Sequence, residues 1–261
     1  MGFQNIFSVE GKNVIVTGAT SGIGADASRG FAEAGANVFL IGRREERLAA
    51  LTAELKSCGV QTGYAVCDVS DREQVTAAVR AAAALFADAI DVLVNCAGVT
   101  GKVKIGEMDA SEWQKEIAVN LTGTANMCDA VLPFMTAHKT GRIINVASIN
   151  AFVASQTVPR HAYNASKAAV CGLTTGLAVT YARDQITVNA VCPGLFESEM
   201  TTDIFENKIV LSTYNRQVPA GRPGRRGEMN GVILFLAGDA AAYITGQAIA
   251  VDGGYLNASY L

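Results

Sequence analysis

Short apolar runs recur along the chain at 13–16, 38–41, 62–66, 92–94, 142–146, 187–191 and 248–251. They are rich in β-branched residues and apolar at consecutive positions, as in strands covered on both faces. Stretches with helical periodicity lie near 23–34, 45–57, 71–86, 110–137, 162–183 and 228–237. This alternation predicts one α/β domain over 1–261: a doubly wound, seven-stranded parallel sheet with helices on both faces. Strands follow one another closely until the sixth, after which more than fifty residues pass before the last. That surplus, near 195–226, is expected to cover a substrate and to be the most mobile part of the chain.

Composition narrows the function classes. Of 261 residues, 50% are hydrophobic and the formal net charge is only −3, which excludes disorder and disfavours a nucleic-acid surface. No run of about 18 apolar residues occurs, so no membrane span is expected. The N-terminus has no basic region leading into an apolar core, which points to no signal peptide and a cytoplasmic compartment. The six cysteines are widely spaced with no C-x-x-C, so free thiols are expected rather than zinc or disulfides, and no metal site is foreseen. With two histidines and no G-x-S-x-G elbow, a Ser-His-Asp hydrolase is disfavoured.

After the first strand the chain reads Thr17-Gly18-Ala19-Thr20-Ser21-Gly22-Ile23-Gly24 and enters a helical pattern. Gly18 suits a turn closed to other residues, Gly22 lets a backbone approach a pyrophosphate, and Gly24 lets the helix pack on the strand. The helix start then offers free N–H groups and partial positive charge to phosphates. The second strand ends in Gly42-Arg43-Arg44, with no acidic residue where NAD sites place one on the ribose 2′-hydroxyl. Arg43 suits a 2′-phosphate, which favours NADP and keeps NAD as the alternative.

Tyr163 and Lys167 stand four apart at the start of a helix and share one face. Ser148 follows the fifth strand, at the sheet end where such folds bind ligands. An adjacent ammonium and a cationic nicotinamide would favour the phenolate of Tyr163, and a nearby hydroxyl would hold a substrate oxygen.

Taken together, TGATSGIG at 17–24, Asp68-Val69, Asn95-Cys96-Ala97-Gly98, Asn120, Ser148, Tyr163-x-x-x-Lys167, Asn189, Pro193-Gly194 and Val251-Asp252-Gly253-Gly254 resemble the short-chain dehydrogenase/reductase family over essentially the whole chain. The resemblance implies a Rossmann fold and an oxidoreductase moving hydride between a nicotinamide cofactor and a secondary alcohol or ketone. A 3-oxoacyl thioester, a steroid or a sugar acid such as gluconate is the kind of substrate implied. Tyr163 would be the general acid/base, and Ser148 would polarise the carbonyl. Lys167 would hold the nicotinamide ribose and lower the Tyr163 pKa, and Asn120 would hold a proton-relay water. Asp68 and Val69 would meet the adenine, while Asn95, Ala97 and Gly98 would line the cofactor cleft. Pro193 and Gly194 would turn over the nicotinamide beside Phe196, and Ser198 would bond the carboxamide. Two departures stand out: Cys96 replaces the family's second Asn, and Ser198 its threonine. A homotetramer is also implied, with the helices at 110–137 and 162–183 and the carboxyl-terminal segment at its interfaces. The alternative is a catalytically silent nucleotide-binding regulator or scaffold, against which the intact Asn120, Ser148, Tyr163 and Lys167 argue.

Arg222, Arg225 and Arg226 read as a solvated turn rather than a docking patch for an acyl carrier. Arg160 is expected to be exposed rather than to meet a substrate carboxylate. His161 is expected to be structural or exposed rather than catalytic, and Trp113 to pack. Phe196, Met200, Ile204 and Phe205 suit either a pocket floor or ordinary packing.

Overall fold

The computed structural model describes residues 5–258, so the ends of the expected domain, 1–4 and 259–261, lie outside the described residues. The expected strands all form: β1 Asn13–Thr17, β2 Asn37–Gly42, β3 Thr62–Val66, β4 Val92–Asn95, β5 Gly141–Val146, β6 Ile186–Pro193 and β7 Ala248–Val251. They make one parallel sheet in the order β3-β2-β1-β4-β5-β6-β7.

Period-two geometry explains the apolar runs. Val14 and Val16 of β1 pack to one side with Leu40, Phe31 and Ile233. Ile15 packs to the other with Phe39, Leu93, Val131 and Ile143. Helices α1 Gly22–Glu33 and α2 Glu45–Lys56 contribute to the first layer, and α3 Arg72–Leu85 to the second.

The stretch expected as one helix over 110–137 is three pieces: α4 Ala110–Ile117, a π-helical segment Ala118–Thr122, and α5 Gly123–His138. A π turn inserts an extra residue and shifts the face that follows, which a broad apolar pattern does not reveal. Next comes α6 His161–Tyr181, close to expectation. The segment after β6 holds two short helices that the sequence did not predict, α7 Thr202–Glu206 and α8 Lys208–Gln217; neither contains a buried residue, so neither carries a strong apolar stripe. Helix α9 Asn230–Ala237 returns the chain toward β7.

Candidate active site

Strand order reverses between β1 and β4, so the loops leaving them diverge and open a crevice at the carboxyl end of the sheet. A cavity of 370 Å³ occupies it. Gly18 leaves β1 at φ +63°, and a Cβ there would stand 2.8 Å from the Ala97 amide nitrogen. Only glycine lets the two loops meet so closely. Thr17 Oγ1 seals the junction by accepting from the Cys96 and Ala97 amides, both at 3.1 Å. Thr20, Ser21, Gly22, Ile23 and Gly24 continue the cavity wall, and the free first-turn amides of α1 give this end a positive character.

Beyond the glycine loop the wall is made by Arg43, Asp68 and Val69. Arg43 lies 3.9 Å from the Asp68 carboxylate. The Ser70 hydroxyl, bonded to Asp68 at 2.7 Å, is the main cause holding that carboxyl below its ordinary range, with Arg43 assisting. Arg44, which the sequence reading passed over for its neighbour, also lines the cavity. Its guanidinium donates to Thr20 Oγ1 at 2.7 and 3.1 Å and to Ser21 Oγ at 3.1 Å. The sequence signal was available: a second arginine directly after the strand.

At the far end Ser148, Tyr163 and Lys167 line the same cavity, with Ala97, Gly98, Pro193, Gly194, Phe196 and Ser198. Lys167 Nζ donates to the Val146 carbonyl at 2.7 Å and sits 5.7 Å from the centre of the Tyr163 ring. Burial brings the Lys167 pKa down to about 8. The Tyr163 pKa is raised, because burial outweighs the Ser148 hydroxyl and the Arg160 charge that pull it down.

Two expected site residues stand apart from the cavity wall. Asn95, the last residue of β4, is buried, and its Nδ2 is engaged sideways within the sheet, donating to Asn145 Oδ1 of β5 at 2.9 Å. Asn120 is fully buried in the π segment. Its Oδ1 accepts from the Val99 amide at 2.8 Å, while its Nδ2 donates to the Val99 carbonyl at 2.9 Å and to Ser166 Oγ at 3.0 Å. The side chain thus braces the β4 loop against α6. The main-chain carbonyl of Asn120 accepts from Thr124 Oγ1 at 2.8 Å.

Cys96, the departure in the β4 loop, lines the cavity and stands where a Cβ on Gly24 would be 3.2 Å away. Arg222 pairs with Glu228, and Arg226 with Asp26, both at the surface as expected. Arg160 is half-buried and within electrostatic range of Tyr163 and Glu116, contrary to the exposed position expected. It stands immediately before α6, three residues ahead of Tyr163. His161 is structural, its Nδ1 accepting from the Ile105 amide at 3.0 Å. The sequence reading also missed Glu116, a buried carboxyl on α4, and Glu199, an acidic group on the cavity wall bonded to Arg44 and Arg47. Nothing local marks Glu199, since its partners are far away in sequence.

Residues 12–209 match the family described as short chain dehydrogenase. A 3-oxoacyl-[acyl-carrier-protein] reductase of Thermotoga maritima is 37% identical, with 94% of this chain and 98% of that protein covered. A 5-keto-D-gluconate 5-reductase of Escherichia coli is 34% identical, covering 97% of this chain and 98% of the relative. Among solved structures, a gluconate 5-dehydrogenase from Burkholderia cenocepacia in complex with NADP and tartrate superposes with a TM-score of 0.93 at 34% identity, over 98% of this chain and 99% of that one. These relatives are reductases and dehydrogenases, which sets aside the silent-scaffold alternative. Sheet order, glycine loop and the Ser148–Tyr163–Lys167 corner thus agree with a match spanning most of the sequence, and the chain belongs to the short-chain dehydrogenases, a family of oxidoreductases.

Proposed function

We propose that the protein interconverts a ketone and the matching secondary alcohol with NADP as its hydride carrier. One observation carries this reading: a single cavity joins a phosphate-type glycine loop and two arginines at one end to Ser148, Tyr163 and Lys167 at the other. The residues fit a dinucleotide, because Gly18 and Gly22 leave the loop open at positive φ and Arg43 and Arg44 bring cationic forks to the adenosine end. Residues 18–24 would hold the pyrophosphate, Asp68 and Val69 the adenine, and Lys167 the nicotinamide ribose. Pro193, Gly194, Phe196 and Ser198 would hold the nicotinamide. When bound, the cofactor supplies or receives the hydride.

The chain supplies orientation and the proton. Ser148 donates a hydrogen bond to the substrate oxygen. As the carbonyl carbon gains a hydride, that oxygen takes the Tyr163 proton, and oxidation runs the same transfer backward. The raised pKa of the buried phenol keeps the proton available for reduction at neutral pH. Lys167 stabilises the phenolate left behind. Asn120 holds the β4 loop against α6 and, through its main-chain carbonyl, a water that restores the proton by way of Lys167.

Substrates of this reading are small ketones of the 3-oxoacyl thioester, sugar-acid or steroid class, and segment 195–226 covers them. The test is a panel of such ketones and their alcohols with NADPH, NADH and the oxidised forms, followed at the reduced-nicotinamide absorbance band. Turnover of at least one ketone, faster with NADPH than with NADH, is expected. Preference for NADH overturns the cofactor, and no turnover of any member overturns the reaction.

A homotetramer in the cytoplasm belongs to the same reading. The β7 edge has Ala248 and Ala250 exposed, and Val179 of α6 is 78% exposed, both surfaces that a neighbouring subunit would cover. Among the described residues no helix is long and apolar enough to cross a membrane. Light scattering should return four times the chain mass.

A further inference from the structure

Glu199 lies in the covering segment, five residues past Gly194, yet its carboxylate is bound to the other side of the cleft. One oxygen accepts from Arg44 Nη1 at 2.7 Å, and the other accepts from Arg47 Nη1 in the first turn of α2. Arg47 and Arg44 together hold the Glu199 carboxyl down at about 2, so it is a carboxylate throughout the physiological range. The remaining edge of Arg44 is committed to Thr20 and Ser21 of the glycine loop. The turn that carries Glu199 is stiff: Thr201 Oγ1 donates to the Phe196 carbonyl at 2.7 Å and accepts from the Ser198 amide at 2.9 Å. That turn also lies close to the loop, where a Cβ at Gly22 would be 3.0 Å from Ser198 Cβ. One carboxylate therefore ties the covering segment to the end of β2 and the start of α2.

We propose that Glu199 is a specificity-determining residue that occupies the anion seat of Arg44 and Arg47 until a phosphate on the adenosine ribose displaces it. The proposal rests on the reading of Arg44 as part of the 2′-phosphate site. A phosphate carries nearly two charges and three acceptor oxygens against one charge and two oxygens on Glu199, so it takes the arginines when present. Displacement frees the stiff turn, and with it the covering segment, from α2. An adenosine without that phosphate leaves the tie in place. Glu199 thus makes the freedom of the segment over the active site depend on which cofactor is bound.

The test uses the whole protein with adenosine 2′-monophosphate and adenosine 5′-monophosphate as probes, read by calorimetry and hydrogen exchange. In the parent, the 2′-phosphate probe should raise exchange over 197–206, and the 5′-phosphate probe should not. Glu199→Gln should exchange faster there without any probe, and should bind the 2′-phosphate probe about 3- to 10-fold tighter with the 5′-phosphate probe unchanged. Glu199→Asp keeps the charge but shortens the arm, and should behave as the Gln variant does. Equal exchange with both probes, or an unchanged affinity ratio in Glu199→Gln, overturns the proposal. An Asp variant indistinguishable from the parent also overturns it, because simple charge repulsion would then suffice. Arg44→Ala separates the two layers of the argument. Loss of the preference for the 2′-phosphate probe upholds the site, and a retained preference refutes the reading on which the proposal rests.

Discussion

Burial sets the working state of the two titrating groups at the catalytic corner. Tyr163 and Lys167 are 8% and 5% exposed, and low polarity shifts each toward its neutral form. Tyr163→Phe keeps the ring and removes the proton, so turnover should fall about 10²–10⁴-fold while cofactor affinity holds. Steady-state kinetics beside a binding titration checks both halves, and parent-like turnover would refute the role. Lys167 has a stability signature of its own. Its folded pKa is about 8, whereas an unfolded lysine keeps its proton to about pH 10.4. Between those values the unfolded chain binds more protons, so this group makes stability rise with pH, by up to about 3 kcal/mol. Urea unfolding at pH 7.5 and 10 should show the gap between Lys167→Met and the parent shifting in the parent's favour at the higher pH. A constant gap would mean that the lysine is not desolvated.

At the scale of elements, strands were legible and interruptions were not. The β1 run is apolar on consecutive positions because both faces are covered, so pattern alone locates it. The π turn around Asn120 adds a residue without breaking the apolar content, and periodicity read across it sees one long helix. Gly18, Ser148, Tyr163 and Lys167 were readable because each sits at a fixed offset from a strand end. The bond of Asn95 to Asn145 was not legible, because its partner comes from another strand and only the register reveals the pairing. Asn120 supplies an element-scale test. Asn120→Ala removes two hydrogen bonds to the β4 loop and one to α6, and should cost about 2–4 kcal/mol in denaturant unfolding. A surface-like change below about 0.5 kcal/mol would contradict the brace. Helices α7 and α8 hold no buried residue, whereas β5 is buried at all positions but its last. Hydrogen exchange over 202–217 should therefore outrun that of 141–146 by orders of magnitude in the free protein, and equal protection would count against a mobile cover.

Across the whole molecule, the proposed reading puts the cofactor grip and the proton-transfer corner on loops and a helix anchored to the sheet, and the substrate cover on segment 195–226 outside it. Exchange of 200–226 for the matching stretch of a relative should change which ketone is turned over and leave the pH dependence of Tyr163 in place. A pH profile that moves with the cover would show that the two are not separable.

One line of side chains deepens that separation. Thr17 holds the amides after β4, Asn95 at the end of β4 bonds Asn145 of β5, and Asn145 bonds Thr174 of α6 at 2.9 Å. These buried polar groups act as a ruler laid across the crevice. They join the glycine turn, which on the proposed reading would take the pyrophosphate, to the helix that carries Tyr163 and Lys167. A ruler of this kind resists stretching, so on the proposed reading selectivity among ketones would fall to what closes over the reaction, not to any adjustment of the distance across which hydride and proton are delivered.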